Sequence, residues 1–282
     1  MPAQILDGSA TSKQIREEIK TEVAELKART GITPHLSVMI VGEDPASQTY
    51  VRMKHKACLT AGMLSTIHEL PASSSQTEII DIIKALNADP NVHGIMVQHP
   101  VPRHLDELDI LATVAREKDV DGISRDSLGS LMTGEPIFIS ATPAGIIELL
   151  DRYNIPIEGK HAVVVGRSII LGKPVAIYLL NRNATVTICH TRTRDLGEMT
   201  RQADILVAAV GRPEIITGDM IKEGAVVVDA GFNKVEGRDK DVGDVEFEAA
   251  FQKASWITPV PGGVGPMTIA MLLKNTLKAA KK

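Results

Sequence analysis

The sequence has 282 residues, 44% of them apolar and 23% charged, which is typical of a soluble globular chain with one large or two ordinary domains. Its net charge of -4 and its 3% of aromatic residues indicate neither the basic face nor the base-stacking surface of a nucleic-acid-binding protein. The two cysteines are far apart, the amino terminus does not resemble a signal peptide, and no apolar run approaches the ~18 residues of a membrane span, so we expect a soluble, cytoplasmic protein without disulfides.

Helices and apolar strands alternate through the first half of the sequence. Apolar positions at helical spacing predict helices over residues 10–30, 47–62, 77–89 and 105–115. Apolar runs predict strands over residues 35–42, 65–71 and 92–98. A polar loop is predicted for residues 118–129. This alternation favours an α/β layer with a mainly parallel sheet.

The second half begins with residues 133–143, which contain prolines and predict a crossing between domains. A helix is predicted over residues 144–154 and a final amphipathic helix over residues 266–282. Between them, apolar runs predict strands over residues 161–165, 184–190, 204–211, 224–231 and 255–260. Helices or turns separate these strands, as in a doubly wound sheet.

We therefore predict a two-domain α/β protein with a cleft between the domains. The first domain comprises residues 1–141, together with residues 266–282 because the final helix is expected to fold back on it. The second domain, residues 142–265, is expected to be a Rossmann-type, doubly wound nucleotide-binding domain.

The segment 161–174, HAVVVGRSIILGKP, is a buried strand followed by a glycine-containing turn. A strand that leads through such a turn into a helix leaves backbone N–H groups free to bind a phosphate, here at Gly166, Arg167 and Ser168. The spacing of the glycines differs from G-x-G-x-x-G. A tight strand-to-helix turn without a ligand is the alternative interpretation.

The end of the next strand bears on which nucleotide would bind. NAD-binding domains place an acidic residue roughly 20 residues after the glycine turn, where it contacts the ribose 2′-hydroxyl. Here Thr191, Arg192 and Arg194 occupy that region, and no carboxylate appears before Asp195. Guanidinium groups suit a 2′-phosphate, so the sequence favours NADP over NAD. The alternative for the arginines is a solvated loop.

One helix of the first half carries Ser47, Tyr50 and Lys54 on a single face. A phenol and an amine four residues apart can each shift the pKa of the other. The spacing Tyr-x-x-x-Lys also occurs in short-chain dehydrogenases, but there the nucleotide turn precedes the pair, and here it follows. A surface pair without function is the alternative.

Three further features have polar or flexible residues where a ligand could approach. Gln98 ends a buried strand, the usual place for a functional side chain in a parallel sheet, or else it faces solvent. Asp119 and Asp121 in KDVDG are either functional or turn-forming residues. The glycines and prolines of PGGVGPMT, residues 261–268, bar helix and strand and leave the backbone open to a ligand, unless the segment is a linker.

Taken together, these motifs resemble the bifunctional methylenetetrahydrofolate dehydrogenase/cyclohydrolase family of the bacterial FolD type. The motifs follow one another in the order of the family and span almost the whole chain. They are Ser47-x-x-Tyr50-Val51-x-x-Lys54, GIMVQHPVP, KDVDG, GRSxxxGxP, VDAG and PGGVGPMT. PGGVGPMT together with the GRS turn is highly specific.

The resemblance implies an NADP-dependent oxidation of 5,10-methylenetetrahydrofolate to 5,10-methenyltetrahydrofolate, followed by hydrolysis to 10-formyltetrahydrofolate. It implies that Lys54 acts at the one-carbon unit, with Tyr50 beside it, Gln98 setting its state and Asp121 holding the pterin. It implies further contacts to folate and to NADP. The implied folate contacts include Pro261 and Gly262, and the implied NADP contacts are Gly166, Arg167, Ser168, Thr191, Arg192 and Phe232. No metal is required, and a homodimer is implied.

The sequence departs from the pattern of the family at a few places near the implied sites. Leucine is common where His99 stands, cysteine where Ala141 stands, and isoleucine where Phe232 stands. An aromatic residue, His and Pro commonly follow KDVDG, where this chain has Ile123-Ser124-Arg125. These differences leave the reaction class intact and bear on substrate affinity and on the balance of the two activities.

Two other functions are consistent with parts of the sequence. A monofunctional dehydrogenase, acting on methylenetetrahydrofolate or another pterin, would keep the NADP turn and lose the hydrolysis. A non-catalytic NADP-binding sensor would need the turn alone. The presence of Tyr50, Lys54, Gln98 and Asp121 together favours an enzyme over the sensor.

Overall fold

The computed structural model describes residues 2–238 and 241–282. It divides into two compact units. The first unit consists of Lys13–Ala141 with Ile269–Lys282, and the second of Met1–Ser12 with Thr142–Thr268. Among the described residues, no helix is long and apolar enough to cross a membrane.

The strands, in chain order, are β1 Gln4–Ile5, β2 His35–Val41, β3 Leu64–Leu70, β4 Gly94–Val97, β5 His161–Val165, β6 Thr185–Cys189, β7 Ile205–Ala208, β8 Val226–Asp229 and β9 Trp256–Ile257. The helices are α1 Gly8–Thr30, α2 Pro45–Thr60, α3 Gln76–Ala88, α4 Glu107–Thr113, α5 Arg125–Met132, α6 Ala141–Arg152, α7 Gly172–Asn181, α8 Leu196–Thr200, α9 Phe247–Phe251 and α10 Val264–Ala280. A 3-10 turn covers Gly218–Met220.

The first unit contains a parallel sheet in the order β3-β2-β4. The central strand β2 pairs with β3 from His35↔Leu64 onwards and with β4 from Leu36↔Gly94 onwards. Its residues from Leu36 to Val41 are all buried, because a central parallel strand is covered on both faces. The carboxyl ends of β2 and β4 therefore meet at the same edge of the sheet.

The second unit contains a parallel sheet in the order β1-β9-β8-β7-β5-β6. β5 lies between β6 and β7. The chain places β6 on one side of β5 and β7, β8 and β9 on the other side, so the order of the strands reverses at β5. This reversal is the switch point at which doubly wound sheets bind ligands, beyond the carboxyl ends of the strands. β7 and β8 are buried along their whole length, as expected for interior parallel strands.

The predicted fold class of two α/β domains is confirmed, and the compact units depart from the predicted domain bounds near both ends of the chain. Residues 266–268, which we expected in the first domain, fall in the second unit. Residues 1–12, which we expected in the first domain, group with the second sheet because β1 pairs with β9, Gln4↔Trp256 and Ile5↔Ile257. A strand of two residues is too short to show a sequence period, so the pattern gave no signal for it.

Two segments that were predicted to be irregular are helical. α5 begins inside the predicted polar loop 118–129 and continues to Met132. The Ser124 hydroxyl caps its start by accepting a hydrogen bond from the Ser127 N–H at 3.2 Å. α10 begins at Val264, inside the segment predicted to exclude helix. Pro266 falls in its first turn, where a missing N–H costs nothing.

Candidate active site

Lys54 and Gln98 meet in the first unit, although they lie on different elements. Lys54 is on α2. Asp44 caps the first turn of this helix, because its carboxylate accepts a hydrogen bond of 2.8 Å from the Ser47 N–H. Gln98 follows β4, and its own N–H donates to the Met39 carbonyl at 2.8 Å, which fixes its backbone to the sheet. Both side chains are 9% exposed.

The Lys54 amine has a defined set of contacts. Its Nζ donates to Oε1 of Gln98 at 3.0 Å and lies 3.4 Å from Sδ of Met96. Burial lowers the pKa of Lys54, and the opposing charge of Asp121 raises it in part. A buried amine with a lowered pKa can exchange a proton closer to neutral pH than an ordinary lysine can.

The orientation of the Gln98 amide follows from its second hydrogen bond. Its Nε2 donates to the backbone carbonyl of His99 at 2.7 Å. Since the nitrogen is engaged there, the oxygen is the atom that faces Lys54. The amide therefore acts as an acceptor toward the amine and cannot donate to it.

Asp121 is held by a loop that is built on a different aspartate. The buried Asp119 carboxylate accepts from the Gly122 N–H at 3.1 Å, the Ser124 N–H at 3.0 Å and the Ser127 hydroxyl at 2.5 Å. Gly122 has a φ of +67°, and an added Cβ would lie 2.6 Å from the Ser140 nitrogen. Asp119 is thus a turn-forming residue, and Asp121 is left with a carboxylate that is 14% exposed.

Tyr50 lies one turn before Lys54 on α2 and is 40% exposed. The two residues are four apart, so their side chains share a helix face, as the sequence predicted. The first unit therefore places Tyr50 on the face of Lys54, joins Lys54 to Gln98 by a hydrogen bond, and brings Asp121 within electrostatic reach of the amine.

The predicted phosphate turn of the second unit is closely packed. Gly166, directly after β5, has a φ of +132°, and a Cβ there would lie 2.2 Å from the Ala209 carbonyl oxygen. A Cβ on Gly172, the first residue of α7, would lie 2.4 Å from the Gly166 carbonyl oxygen. The Gly172 N–H donates to Oγ of Ser168 at 3.3 Å. Glycine is therefore needed at both positions for the turn to pack this closely against backbone.

The residues after β6 form a turn whose side chains are exposed. The Thr193 N–H donates to the His190 carbonyl at 2.8 Å, and the Arg192 N–H donates to Nδ1 of His190 at 3.1 Å. Thr191 and Arg192 are exposed, as is Arg167 in the neighbouring turn after β5. Because β5 and β6 are adjacent parallel strands, these turns follow the same edge of the sheet, where guanidinium groups suit a phosphate.

Phe232 and the glycine-rich segment complete the predicted positions of the second unit. Phe232 follows β8 and is 49% exposed. Pro261 is exposed, and Gly262 has a φ of +109° and accepts the Ser9 N–H at 2.8 Å through its carbonyl. A Cβ on Gly8 would lie 1.8 Å from the Gly263 carbonyl oxygen, so this segment packs tightly against the start of α1.

A pair of buried aspartates, one at the end of β8 and one in the segment that follows it, was not predicted. Asp229 accepts from the N–H groups of Gly231, Asp244 and Val245 at 2.8 to 3.0 Å. Asp244 accepts from three backbone N–H groups of the turn after β7 and from the amide of Asn233 at 3.0 Å. Burial raises the pKa of Asp229 to about 7, against the effect of its backbone donors. The pair fixes the loops at the carboxyl edge of the sheet.

His99 and Glu107 were also missed as parts of the first-unit cluster. They lie within ion-pair distance of each other, and His99 reaches Asp121 as well. The position of His99 directly after Gln98 was a usable signal, since residues that follow a strand end share its edge. Within residues 2–238 and 241–282, no group of three or more His, Cys, Asp or Glu residues could hold a metal ion.

Comparison with known proteins shows the family of this chain. Residues 6–121 match the model of the tetrahydrofolate dehydrogenase/cyclohydrolase catalytic domain, and residues 140–282 match that of the corresponding NAD(P)-binding domain. The chain belongs to the tetrahydrofolate dehydrogenase/cyclohydrolase family. The bifunctional protein FolD of Moorella thermoacetica is 61% identical over 282 residues, which is all of both chains.

Solved structures of family members agree in fold over the whole chain. The bifunctional FolD methylenetetrahydrofolate dehydrogenase/cyclohydrolase of Campylobacter jejuni has a TM-score of 0.97 and 48% identity, covering 99% of each chain. The FolD methylenetetrahydrofolate dehydrogenase-cyclohydrolase of Trypanosoma brucei, complexed with NADP cofactor and inhibitor, has a TM-score of 0.96 and 41% identity, covering 100% of this chain and 98% of that one. The family resemblance and fold class predicted from the sequence are confirmed.

Proposed function

We propose that this protein oxidises 5,10-methylenetetrahydrofolate to 5,10-methenyltetrahydrofolate with NADP and then hydrolyses the product to 10-formyltetrahydrofolate. Its role is in one-carbon metabolism. Membership of the tetrahydrofolate dehydrogenase/cyclohydrolase family supports both activities. The single observation that carries the hydrolysis is the buried Lys54 amine, hydrogen-bonded to Gln98 and with a lowered pKa.

The oxidation depends on alignment more than on proton transfer. NADP, when bound, supplies the hydride acceptor for the methylene carbon. The protein holds the two reactants at reacting distance, and this proximity lowers the entropic part of the barrier. The product is a methenyl cation, in which the positive charge is shared by two nitrogens of the folate.

The hydrolysis requires a proton to be moved. Water attacks the methenyl carbon, the five-membered ring opens, and the product carries a formyl group. Lys54 is proposed as the general acid/base of this step, because its lowered pKa allows it to give and to accept a proton. Gln98 accepts a hydrogen bond from the amine and fixes its position. Tyr50, on the same helix face, is proposed to pack against the folate.

Three of the residues predicted from the sequence are proposed to contact the folate. Asp121 presents a partly exposed carboxylate, which can accept hydrogen bonds from the N–H groups of a pterin ring. Pro261 and Gly262, in the glycine-rich segment before α10, are proposed as further folate contacts. Gly262 has a positive φ, so its backbone takes a course that other residues rarely adopt.

The second unit has features that suit NADP. The turn of Gly166, Arg167 and Ser168 follows β5 and leads into α7, the place where doubly wound sheets bind phosphates, and it is proposed to contact the phosphates of NADP. The N–H of Gly166 itself donates to the Cys189 carbonyl at 2.9 Å, so it is not one of the free donors that the sequence predicted. Thr191 and Arg192 are proposed to contact the 2′-phosphate, and Phe232 to lie against the cofactor. The exposed guanidinium of Arg192 suits a phosphate better than the ribose hydroxyl of NAD.

We further propose a cytoplasmic homodimer that acts on folate and has no nucleic-acid or membrane partner. A homodimer is a common assembly for a protein of this kind, since cyclic dimers are the most frequent symmetric oligomers. Sedimentation of the purified protein tests this, and a single species at the 30.3 kDa mass of one chain would contradict it.

The experiment that tests the function is an assay of the purified protein with methylenetetrahydrofolate and NADP. We expect near-ultraviolet absorbance from NADPH and methenyltetrahydrofolate to appear, and the methenyl absorbance then to decay as the product is hydrolysed. NADPH formation without decay beyond the spontaneous rate would indicate a monofunctional dehydrogenase. NADP binding without any turnover would indicate a sensor, and either result would contradict the proposal.

A further inference from the structure

His99 lies between two carboxylates in the first unit. Its Nε2 is 3.8 Å from Oδ2 of Asp121, and its Nδ1 is 3.7 Å from Oε1 of Glu107. The three residues come from separate segments: the loop after β4, the loop before α5 and the first turn of α4. These distances exceed those of hydrogen bonds, so the contacts are electrostatic.

Glu107 faces the Nδ1 side of the imidazole. Its Oε1 is buried and has no hydrogen-bond partner in the part of the chain that the structure describes. A buried carboxylate oxygen without a partner is costly, and the ring of His99 is the N–H-bearing group at 3.7 Å from it. With one nitrogen directed toward Glu107, the other is directed toward Asp121.

Chemistry allows the ring to restrain Asp121 in either protonation state. A neutral imidazole has one N–H and can donate to one of the two carboxylates, whereas a protonated imidazole can donate to both. The Asp121 carboxylate is 14% exposed, and the imidazole is 22% exposed, so water screens the contact only in part. A leucine at position 99 would offer no comparable interaction.

The main chain of His99 has a separate role. Its backbone carbonyl accepts a hydrogen bond of 2.7 Å from Nε2 of Gln98, and that bond directs the Gln98 amide oxygen toward Lys54. A substitution of the His99 side chain leaves the carbonyl in place. Side-chain variants therefore separate an effect on Asp121 from an effect on Lys54.

We propose that His99 is a positioning residue for folate, whose imidazole holds the Asp121 carboxylate in the orientation that meets the pterin ring. This inference rests on the proposed function, in which Asp121 binds the folate. It predicts that His99 affects the KM for the folate substrate and leaves the KM for NADP unchanged. It also predicts that the effect passes through Asp121.

The test is steady-state kinetics of the dehydrogenase, with methylenetetrahydrofolate and NADP each varied while the other is saturating. His99→Leu is expected to raise the KM for methylenetetrahydrofolate about fivefold, equivalent to about 1 kcal/mol, with kcat and the KM for NADP within twofold of the wild type. His99→Gln, whose amide can still donate to Asp121, is expected to restore most of the affinity. His104→Leu, an exposed histidine in the same loop, is the matched control and should match the wild type.

A double-mutant cycle shows whether Asp121 is the intermediary. In an Asp121→Asn background, His99→Leu is expected to change the folate KM by less than twofold. An unchanged folate KM in His99→Leu, an equal rise in the KM for NADP, or the same fivefold effect in the Asp121→Asn background would overturn the inference.

The experiment also distinguishes a failure of the positioning role from a folding defect of the variant and from a failure of the proposed function. If His99→Leu does not fold, His99→Asn, whose shorter amide does not reach Asp121, is compared with His99→Gln; equal folate KM values would then overturn the inference. If the wild type itself has no NADP-dependent activity on methylenetetrahydrofolate, the proposed function fails. An active wild type with an unaffected His99→Leu variant contradicts the positioning role alone.

Discussion

The Gln98 amide oxygen accepts a hydrogen bond of 3.0 Å from the Lys54 amine, and its amide nitrogen is bound to the His99 carbonyl. The amide therefore cannot rotate to present its nitrogen to the amine without losing both bonds. The acceptor that contacts the amine is neutral, so the hydrogen bond fixes the position of the amine, while the carboxylate of Asp121 only partly offsets the effect of burial on its pKa. This arrangement suits the role that we propose for Lys54, in which the amine gives and accepts a proton.

Two substitutions are expected to move the ionisation of Lys54 in opposite directions. Gln98→Glu places a carboxylate beside the amine and raises the pKa of Lys54, whereas Asp121→Asn removes the charge that partly offsets burial and lowers it further. The pH–rate profile of methenyltetrahydrofolate hydrolysis at saturating substrate should move to higher pH in the first variant and to lower pH in the second. Gln252→Glu, at an exposed position, is the control, and shifts in one common direction would count against the assignment of Lys54.

Removing the exposed guanidinium of Arg192 is expected to weaken NADP binding selectively. A charge-assisted bond to a phosphate contributes about 1.5–3 kcal/mol, so Arg192→Ala should raise the KM for NADP by about tenfold or more. The KM for NAD should change little, because NAD lacks the 2′-phosphate. Kinetics with each nucleotide measure this ratio, and Arg29→Ala on α1 serves as an exposed control. Equal losses with NADP and NAD would argue against a 2′-phosphate contact.

The turn after β5 should not tolerate a side chain at position 166. In Gly166→Ala the new Cβ would lie 2.2 Å from the Ala209 carbonyl oxygen, at a φ of +132° that alanine rarely adopts. We expect a loss of more than about 1 kcal/mol in unfolding free energy and a weaker binding of NADP. Urea denaturation and NADP titration measure the two effects. Gly129→Ala in α5, where the added Cβ would meet open space, is the control, and a Gly166→Ala variant as stable as this control would refute the steric argument.

Asp229 is expected to make the second unit less stable as the pH rises. Its folded pKa of about 7 lies above its ordinary value of 3.8, so between these values the folded state retains a proton that the unfolded state has lost. Stability should therefore fall as pH rises through about 4 to 7 and level off above. Urea denaturation followed by the fluorescence of Trp256, the single tryptophan, reports on this unit.

The control for this pH dependence is an Asp229→Asn variant, which has no carboxyl group to titrate. It is expected to be less stable overall, because its amide nitrogen would face a backbone N–H, but to lose most of the fall between pH 4 and 7. Asp126→Asn, at an exposed position, should keep the slope of the wild type. An undiminished slope in Asp229→Asn would show that other groups cause the pH dependence.

The sequence predicted the strands in which consecutive residues are apolar and buried. β7 is apolar throughout and β5 is apolar after its first residue, as expected for interior parallel strands that are covered on both faces, and their positions were predicted within a few residues. The shared face of Tyr50 and Lys54 follows from helical geometry alone. The position of Gln98 directly after a buried strand was also predicted, and its functional role stays a prediction.

What could not be predicted arises from contacts between distant segments. β1 is a strand only because β9 pairs with it, and two residues carry no period of their own. α5 begins at a cap formed by Ser124. This cap could not be recognised in the sequence, because the surrounding segment is rich in polar residues and glycine, which are typical of a loop. The contact of His99 with Glu107 and Asp121 requires two loops and the first turn of α4 to converge, and no local spacing encodes that convergence.

The most direct test of the account separates the two activities at Lys54. Purified wild type, Lys54→Gln and the exposed control Lys56→Gln are assayed in two reactions. One follows NADPH formation from methylenetetrahydrofolate, and the other follows the decay of methenyltetrahydrofolate supplied directly. Because hydrolysis needs a proton transfer and hydride transfer does not, Lys54→Gln is expected to lose at least about 100-fold in hydrolysis while remaining an active dehydrogenase. If Lys54→Gln hydrolyses methenyltetrahydrofolate at the wild-type rate, Lys54 is not the general acid/base and the account is wrong.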